Sequence, residues 1–198
     1  RPEKMLTTER HWLSTGSLML DLALHGGLPR GRMVEIFGEP QSGKTSLAFS
    51  CMQAALRNNQ SCAVLDIDRQ WPPCRPQDSL FVAKPDSAES AMEMMEDLVK
   101  SRQFDLIILD SVPSLVSMEE LQTDMTRRDV RDQVWKILSR FCARGQKILK
   151  ETRTTIIFTN GLKTVSSDYA DLRDAATLGG NAVKYRSSVR IAVQQLKA

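Results

Sequence analysis

The feature that most constrains the fold of this chain is a glycine loop placed between an apolar run and a helical run. Residues 33–37 are typical of a short strand, and residues 45–58 carry apolar side chains at helical spacing. The loop between them fits the pattern G-x-x-x-x-G-K-[ST], and its residues are Gly38, Glu39, Pro40, Gln41, Ser42, Gly43, Lys44 and Thr45. A strand, a loop of this composition and a helix in that order predict a phosphate-binding loop. Such a loop turns its N–H groups, and the positive end of the helix dipole, toward an anion.

The loop residues have distinct chemical roles in this prediction. Gly38 and Gly43 allow the backbone to curl, so that successive N–H groups point at phosphate oxygens. Lys44 supplies positive charge to the β- and γ-phosphates, and Thr45 offers a hydroxyl to Mg²⁺. We therefore predict that the loop, extended by Ser46 in the first helical turn, binds ATP together with Mg²⁺.

Carboxylates follow two other predicted strands. Residues 104–110 are mostly apolar and end in Asp110, which we predict to hold Mg²⁺ through its water shell. Asp66 and Asp68 end another strand, and the carboxyl ends of parallel strands meet at one edge of a sheet, where ligands bind. Of these two we predict that Asp68 orients the attacking water. The alternatives are a helix N-cap or turn acid for Asp110 and a surface turn for Asp68.

Apolar runs alternate with helical patterns along the rest of the chain. Strands are predicted at 33–37, 61–66, 79–83, 104–110, 154–160 and 188–193, and helices at 45–58, 87–102 and 130–152. Strands that are apolar on both faces and alternate with helices indicate an α/β fold, with a mostly parallel twisted sheet covered by helices on both faces. The length of 198 residues suits a single core domain, of which residues 1–12 are predicted to be a flexible or docking segment.

Composition excludes several classes of protein. The four cysteines are widely spaced and form no C-x-x-C pair, which favours reduced thiols over a disulfide framework or a zinc site. The apolar run 106–109 is far too short to cross a bilayer. We therefore expect a protein of the cytoplasm, or of the nucleus if the source is eukaryotic, without a membrane partner. The net charge of +3 is compatible with a nucleic-acid partner.

Several segments around the loop resemble the core of RecA-type recombinases. The similar segments are 13–24, 26–32, 104–115, 156–160, 179–185 and 188–190. They occur in the order of that family and lie across most of residues 13–193. The resemblance implies a RecA-like P-loop ATPase fold and a DNA-repair or recombination ATPase. Such a protein binds single-stranded DNA and associates with itself or with a RecA-like partner subunit.

The resemblance also implies two loops that contact DNA, at about 117–130 and 161–178. The residues predicted to contact DNA are Arg127, Arg128 and Arg131 near the first loop, and Lys163, Tyr169 and Arg173 in the second. Cationic side chains would contact phosphates and the tyrosine would stack on a base. The alternative for each is solvated loop charge.

The predicted long helix 130–152 carries a basic stripe on one face. This stripe could face DNA, face an acidic partner or simply be solvated, and it consists of Lys136, Arg140, Arg144 and Lys147.

Three positions depart from the family pattern. Asp68 stands where the family has glutamate, and a side chain one methylene shorter predicts slower water positioning. Asn160 is predicted to sense the γ-phosphate, but Gly161 replaces the glutamine that follows it in the family and communicates with the second DNA loop. That coupling is therefore either lost or carried by other residues. The usual adenine-stacking tyrosine is not evident, and Trp71 is either its substitute or a loop tryptophan packed on the core.

Three functions are compatible with these observations. The first is an ATP-dependent single-stranded-DNA-binding protein of RecA type, which hydrolyses ATP to ADP and phosphate in recombination or repair. The second is a nucleotide-binding, weakly hydrolysing accessory partner of a recombinase or of a DNA-damage polymerase, which Asp68 and Gly161 favour. The third is an unrelated P-loop kinase or motor, against which the Gly-Gly-Asn-Ala segment at 179–182 argues.

Overall fold

Strands and helices alternate along the chain, as the apolar pattern predicts. The computed structural model describes residues 11–74, 78–122, 131–163, 176–178 and 180–195. In them the strands are β1 (Trp12–Leu13), β2 (Leu28–Pro29), β3 (Met33–Gly38), β4 (Cys62–Asp66), β5 (Leu80–Ala83), β6 (Leu106–Asp110), β7 (Thr155–Gly161) and β8 (Ser187–Val193). The α-helices are α1 (Leu18–Ala23), α2 (Lys44–Arg57), α3 (Ala88–Lys100), α4 (Met118–Gln122), α5 (Arg131–Thr152) and α6 (Asn181–Arg186).

One six-stranded sheet organises these elements. Its strand order is β5-β4-β6-β7-β3-β8, and every strand pair in it is parallel. The strands β4 and β6 are buried along their whole length, because helices lie against both faces of the sheet. The predicted α/β fold with a mostly parallel sheet is therefore confirmed. The short strands β1 and β2 form a separate antiparallel pair.

Two apolar layers sandwich the sheet, and strand side chains alternate between them. Val34 and Ile36 of β3 pack with α2 on one face, whereas Met33 packs with α3 and α5 on the other. Ile108 of β6 and Ile157 of β7 belong to the α2 layer. The alternation therefore fixes which face each residue near a strand end can reach.

The carboxyl ends of the strands inherit this alternation. Asp110 lies two residues after Ile108, and Thr159 lies two residues after Ile157, so both side chains face the α2 layer. Asn160 lies two residues after Phe158, which packs in the opposite layer with α3 and α5. Thr159 and Asn160, although adjacent in the sequence, thus point to opposite faces of the sheet.

The predicted bounds of the strands and of the long helices agree with the structure within two residues. The sequence patterns missed α1, α4 and α6, because each has only five or six residues and too few buried side chains to show a period. Trp12, the last residue of the segment predicted to be flexible or docking, pairs with Pro29 in the small antiparallel sheet. The first ten residues lie outside the described residues.

The cysteines provide a test of how tightly this core is packed. Cys51, Cys62 and Cys142 are buried, and burial raises the pKa of each thiol to about 12. Cys74 is only partly buried. At about pH 8 a thiol with that pKa has a reactive thiolate fraction on the order of one in ten thousand.

We expect a disulfide reagent such as DTNB to modify only Cys74 in the folded protein, and all four thiols after unfolding in guanidinium. Rapid modification of several thiols in the folded protein would contradict this packing.

Candidate nucleotide-binding site

The glycine loop connects the end of β3 to the start of α2 in a curled conformation. Gly43 caps α2 with φ 99°, and Gln41 also has a positive φ of 61°. A Cβ at Gly38 would stand 2.1 Å from the Val193 carbonyl oxygen, so only glycine allows β8 to approach the loop this closely. The described residues provide no side-chain cap for α2, so the N–H groups of its first turn are available to an anion.

Lys44 and Ser42 complete the inner surface of this loop. The ammonium of Lys44 folds back and donates to the Glu39 carbonyl oxygen at 2.7 Å. Partial burial lowers the pKa of Lys44, while attraction to the carboxylates of Asp110 and Asp68 acts in the opposite direction. The hydroxyl oxygen of Ser42 is buried and has no hydrogen-bond partner among the described residues. A buried polar atom without a partner, beside N–H groups and a lysine, fits a bound phosphate.

Asp110 lies below the loop, where its side chain is buried between two threonines. It accepts hydrogen bonds from the Thr45 hydroxyl, at 3.0 and 3.2 Å to its two oxygens, and from the Thr159 hydroxyl. Burial raises the pKa of Asp110, the two hydroxyl groups lower it, and the nearby Asp68 and Asp66 raise it. Carboxylate and hydroxyl oxygens next to a phosphate site are the ligands that Mg²⁺ prefers. The residues present therefore fit a magnesium ion bound with a phosphate.

Thr159 is the residue of this site that the sequence analysis missed. Its hydroxyl donates both to the Asp110 carboxylate and to the Leu109 carbonyl oxygen, the latter at 3.4 Å. The signal that would have found it is the alternation of β7, because Thr159 shares a face with Ile157 and so points toward the carboxylate on the next strand.

Asp66 and Asp68 have different partners, although both follow β4. Asp66 is buried, and one of its oxygens accepts hydrogen bonds from the N–H groups of Gln70 at 3.0 Å and Trp71 at 3.2 Å. Asp68 is half-buried and accepts one hydrogen bond, from the Ser111 hydroxyl at 3.2 Å. Asp66 therefore organises the turn, whereas Asp68 stays next to Lys44 and Asp110 with lone pairs left for another ligand.

Two predicted ligand contacts have partners within the protein. Trp71 is 9% exposed, and its ring packs against Phe49 at a centroid distance of 5.8 Å. This arrangement corresponds to a loop tryptophan packed on the core, which is one of the two alternatives for this residue. The Asn160 amide donates to Glu35 at 2.8 Å and to the Leu178 carbonyl oxygen at 2.8 Å. Both of its N–H groups are thus engaged on the face opposite α2, and a direct contact with the γ-phosphate stays a prediction.

A cavity of about 470 Å³ lies between α5, which follows the first predicted DNA loop in the sequence, and α6, which follows the second. Its lining comes from the second and third turns of α5, from the start of α6 and from the residue before it, and consists of Trp135, Lys136, Ser139, Arg140, Gly180, Asn181 and Ala182. The lining includes two cations of the predicted basic stripe. The stripe is not uniform, because Arg144 forms an ion pair with Glu96 at 2.9 Å.

The structure describes only part of the residues predicted to contact DNA. Lys163 is exposed, and its N–H donates to the Ala176 carbonyl oxygen at 2.8 Å. Arg131 begins α5, but its side chain lies outside the described residues. The remaining predicted contacts also lie outside them, and these are Arg127, Arg128, Tyr169 and Arg173.

A curled glycine loop between β3 and α2, with a carboxylate at the end of β6, defines a P-loop nucleotide-binding domain. The chain belongs to the RecA N-terminal domain family, whose sequence profile matches residues 3–198. The resemblance seen in the sequence is therefore confirmed.

Relatives with a curated name are similar over nearly the whole chain. Protein RecA of Sulfurovum sp. (strain NBC37-1) is 37% identical over 191 residues, which cover 93% of this chain and 55% of that protein. Protein RecA of Synechocystis sp. is 35% identical over 192 residues, and that of Rhodospirillum rubrum is 36% identical over 193 residues. The chain spans about half the length of these relatives, 53% and 52% for the last two.

Among the residues that the structure describes, no helix is long and apolar enough to span a bilayer.

The different partners of Asp66 and Asp68 predict different effects of their removal. Asp66→Ala removes the acceptor of the Gln70 N–H and of the N–H of the buried Trp71, which we expect to lower the free energy of unfolding by about 1–3 kcal/mol. Asp68→Ala removes one hydrogen bond at a half-exposed position, so we expect a change within about 0.5 kcal/mol. Urea unfolding of the two variants measures both values. Equal costs for the two substitutions would contradict the structural role of Asp66.

Proposed function

We propose that this chain is the nucleotide-binding core of a RecA-type protein that binds ATP with Mg²⁺, hydrolyses it to ADP and phosphate, and binds single-stranded DNA in recombination or repair. The observation that carries the proposal is the convergence of Lys44, Thr45, Asp68 and Asp110 around the curled loop. Within the described part of the chain, the buried Ser42 hydroxyl of this loop has no hydrogen-bond partner. Membership of the RecA N-terminal domain family supports the same conclusion.

In this proposal the loop residues bind the triphosphate and the acids serve the metal and the water. The loop N–H groups and Lys44 hold the phosphate oxygens, with Glu39, Pro40, Gln41 and Ser46 forming the rest of the loop and its first helical turn. Thr45 and Asp110 would hold Mg²⁺, which would neutralise the charge that develops on the phosphates during hydrolysis.

Asp68 accepts a proton from the attacking water and orients it. The Ser111 hydroxyl, at 3.2 Å, fixes the direction of the Asp68 carboxylate. Since Asp68 is partly exposed and has no backbone N–H among its described hydrogen-bond donors, it has lone pairs available for water. Its short side chain favours slow turnover, because a small displacement of a catalytic group costs a large part of the rate.

The cavity between α5 and α6 supports the DNA-binding part of the proposal. Lys136 and Arg140 place positive charge on its wall, and Trp135 adds a half-buried aromatic surface. Cations that follow a backbone and an aromatic surface for bases are the usual elements of single-strand recognition. Asp132 brings one negative charge to the same side of α5, so the surface is basic but not uniformly so.

A second candidate function is an accessory subunit that binds nucleotide without rapid hydrolysis and associates with a RecA-like partner. The observation that favours it is the engagement of the Asn160 amide by Glu35 and Leu178, which leaves no N–H of that side chain for a phosphate. Steady-state turnover with and without single-stranded DNA separates the two functions. Turnover that DNA stimulates supports the recombinase, whereas tight binding with turnover that DNA does not change supports the accessory subunit.

Removal of the Lys44 charge tests the nucleotide site. Loss of a charged hydrogen bond costs about 1.5–3 kcal/mol, so we expect Lys44→Ala to weaken the affinity for ATP by at least about tenfold and to abolish turnover. Asp110→Asn should weaken only the part of the affinity that requires Mg²⁺, which titration in EDTA isolates. Lys100→Ala on the distant helix α3 is the matched control and should bind like the unchanged protein. Equal affinity of Lys44→Ala and the control would overturn the nucleotide site.

Removal of two cations tests the nucleic-acid surface. Each phosphate contact contributes a slope of about 0.7 to the dependence of log affinity on log salt for single strands. We therefore expect the double variant Lys136→Ala/Arg140→Ala to lower that slope by about 1.4 in a fluorescence anisotropy titration. Arg57→Ala/Lys100→Ala, at the carboxyl ends of α2 and α3, removes the same two charges and is the charge-matched control. An unchanged slope in the double variant would mean that the basic stripe is a solvated helix face.

A further inference from the structure

A buried charged network connects three strands of the sheet on the face opposite α2. Glu35, in the middle of β3, is completely buried. One of its carboxylate oxygens accepts a hydrogen bond from the Arg190 guanidinium of β8 at 2.6 Å, and the other accepts from the Asn160 amide of β7 at 2.8 Å. A buried ion pair is weak support for stability, because apolar residues of similar volume are often as stable. Its presence points to a role in fixing the positions of its partners.

The Asn160 amide extends this network beyond the sheet. Its second N–H donates to the Leu178 carbonyl oxygen at 2.8 Å, and its oxygen accepts from the Gly161 N–H at 2.9 Å. Gly161 begins the long second connection of the chain, and Leu178 is near its end. A single side chain therefore holds both ends of that connection.

The two ends form a short antiparallel stem, which we define as residues 161–163 and 176–178. The Leu178 N–H donates to the Gly161 carbonyl oxygen at 2.9 Å, and Leu162 forms an antiparallel bridge with Thr177. The stem thus joins the two described ends of this connection. In the proposed function this connection is the second DNA-binding loop.

The opposite end of the network reaches the glycine loop. The Arg190 guanidinium lies 4.3 Å from the centroid of the Phe37 ring, and Phe37 immediately precedes Gly38. Phe37 is also the partner of Asn160 in the register between β3 and β7. Glu35 and its two partners are therefore packed directly behind the residues where the loop starts.

A packing contact links the stem to the magnesium carboxylate as well. A Cβ at Gly161 would stand 3.0 Å from a methyl carbon of Leu178 and 3.4 Å from the Pro113 ring. Pro113 belongs to the short 3₁₀ turn Val112–Ser114, which begins two residues after Asp110. The stem therefore lies against the turn that follows Asp110, and it is hydrogen-bonded to the Asn160 side chain at the end of β7.

We propose that Glu35 is a positioning residue that couples the glycine loop to the stem, so that nucleotide binding changes the stem through Asn160. The inference rests on the proposed function, because it names how nucleotide regulates the second DNA-binding loop. Two sites are coupled when one element with two arrangements responds to both, and the coupling is measured as a change in affinity at one site caused by a ligand at the other. In this proposal the stem is the element that responds to both sites.

Hydrogen exchange of the stem amides tests the coupling without DNA. We expect ATP with Mg²⁺ to slow exchange at residues 161–163 and 176–178 in the unchanged protein. In Glu35→Gln, which keeps the shape but not the charge, this response should disappear while the affinity for ATP stays within about twofold. The control is Asp105→Asn, which also removes one negative charge from an ion pair. Asp105 pairs with Arg30 at the amino end of β6, away from the glycine loop, so this variant should keep the response.

A second variant makes the test independent of the stability of Glu35→Gln. Glu35→Leu/Arg190→Met replaces the buried ion pair by apolar side chains of similar volume, which is a well-tolerated change in buried pairs. It should also lose the response of the stem to ATP. In DNA titrations, the factor by which nucleotide changes DNA affinity should fall from about fivefold or more to about one in both variants.

The outcomes separate the inference from the proposed function. An unchanged response of the stem to ATP in Glu35→Gln, or in the double apolar variant, overturns the coupling and leaves the proposed function intact. Loss of the response in Asp105→Asn as well would overturn the coupling by showing a general effect of charge removal. Failure of the unchanged protein to bind ATP would overturn the proposed function, and the coupling with it.

Discussion

The hydrogen bonds from Thr45 to Asp110 are the interaction on which the rest of the site depends. They join the first turn of α2 to the end of β6, and so place the glycine loop directly above the buried carboxylate. The position of Asp110 also fixes the turn after β4, because its carbonyl oxygen accepts hydrogen bonds from the N–H groups of Ile67 at 2.7 Å and Asp68 at 3.2 Å. One residue thus sets the positions of the phosphate loop and of the proposed catalytic acid.

The three carboxylates at this edge differ through their partners and not through their residue type. Asp66 binds two backbone N–H groups and serves the turn, Asp110 binds two hydroxyl groups below the loop, and Asp68 binds one hydroxyl at the rim. Three carboxylates so close together repel one another, which is why Asp68 and Asp66 raise the pKa of Asp110. Lys44 offsets part of that repulsion, and a magnesium ion would offset more of it.

The sequence predicted those parts of the site that local patterns determine. The glycine loop, the strand before it and the acid that ends β6 are each read from consecutive residues, and the fold class follows from the alternation of strands and helices. Thr159, the stem and the partners of Glu35 depend on which strands are neighbours and in what register. No pattern within one segment specifies that β7 lies between β6 and β3, so these contacts could not be derived. The roles of Lys44, Asp68 and Asp110 in turnover stay predictions.

Gly161 shows why a departure from a family pattern cannot be interpreted from the sequence alone. Read by itself, the replacement of a glutamine by glycine indicates a lost link between the nucleotide and the second connection. In the structure the space beside Gly161 is occupied by Leu178 and Pro113, and the neighbouring Asn160 holds both ends of that connection. A glycine here allows the stem to approach the turn after Asp110 closely, which a longer side chain would prevent unless Leu178 moved. Glycine at this position therefore permits close packing between the stem and the turn after Asp110.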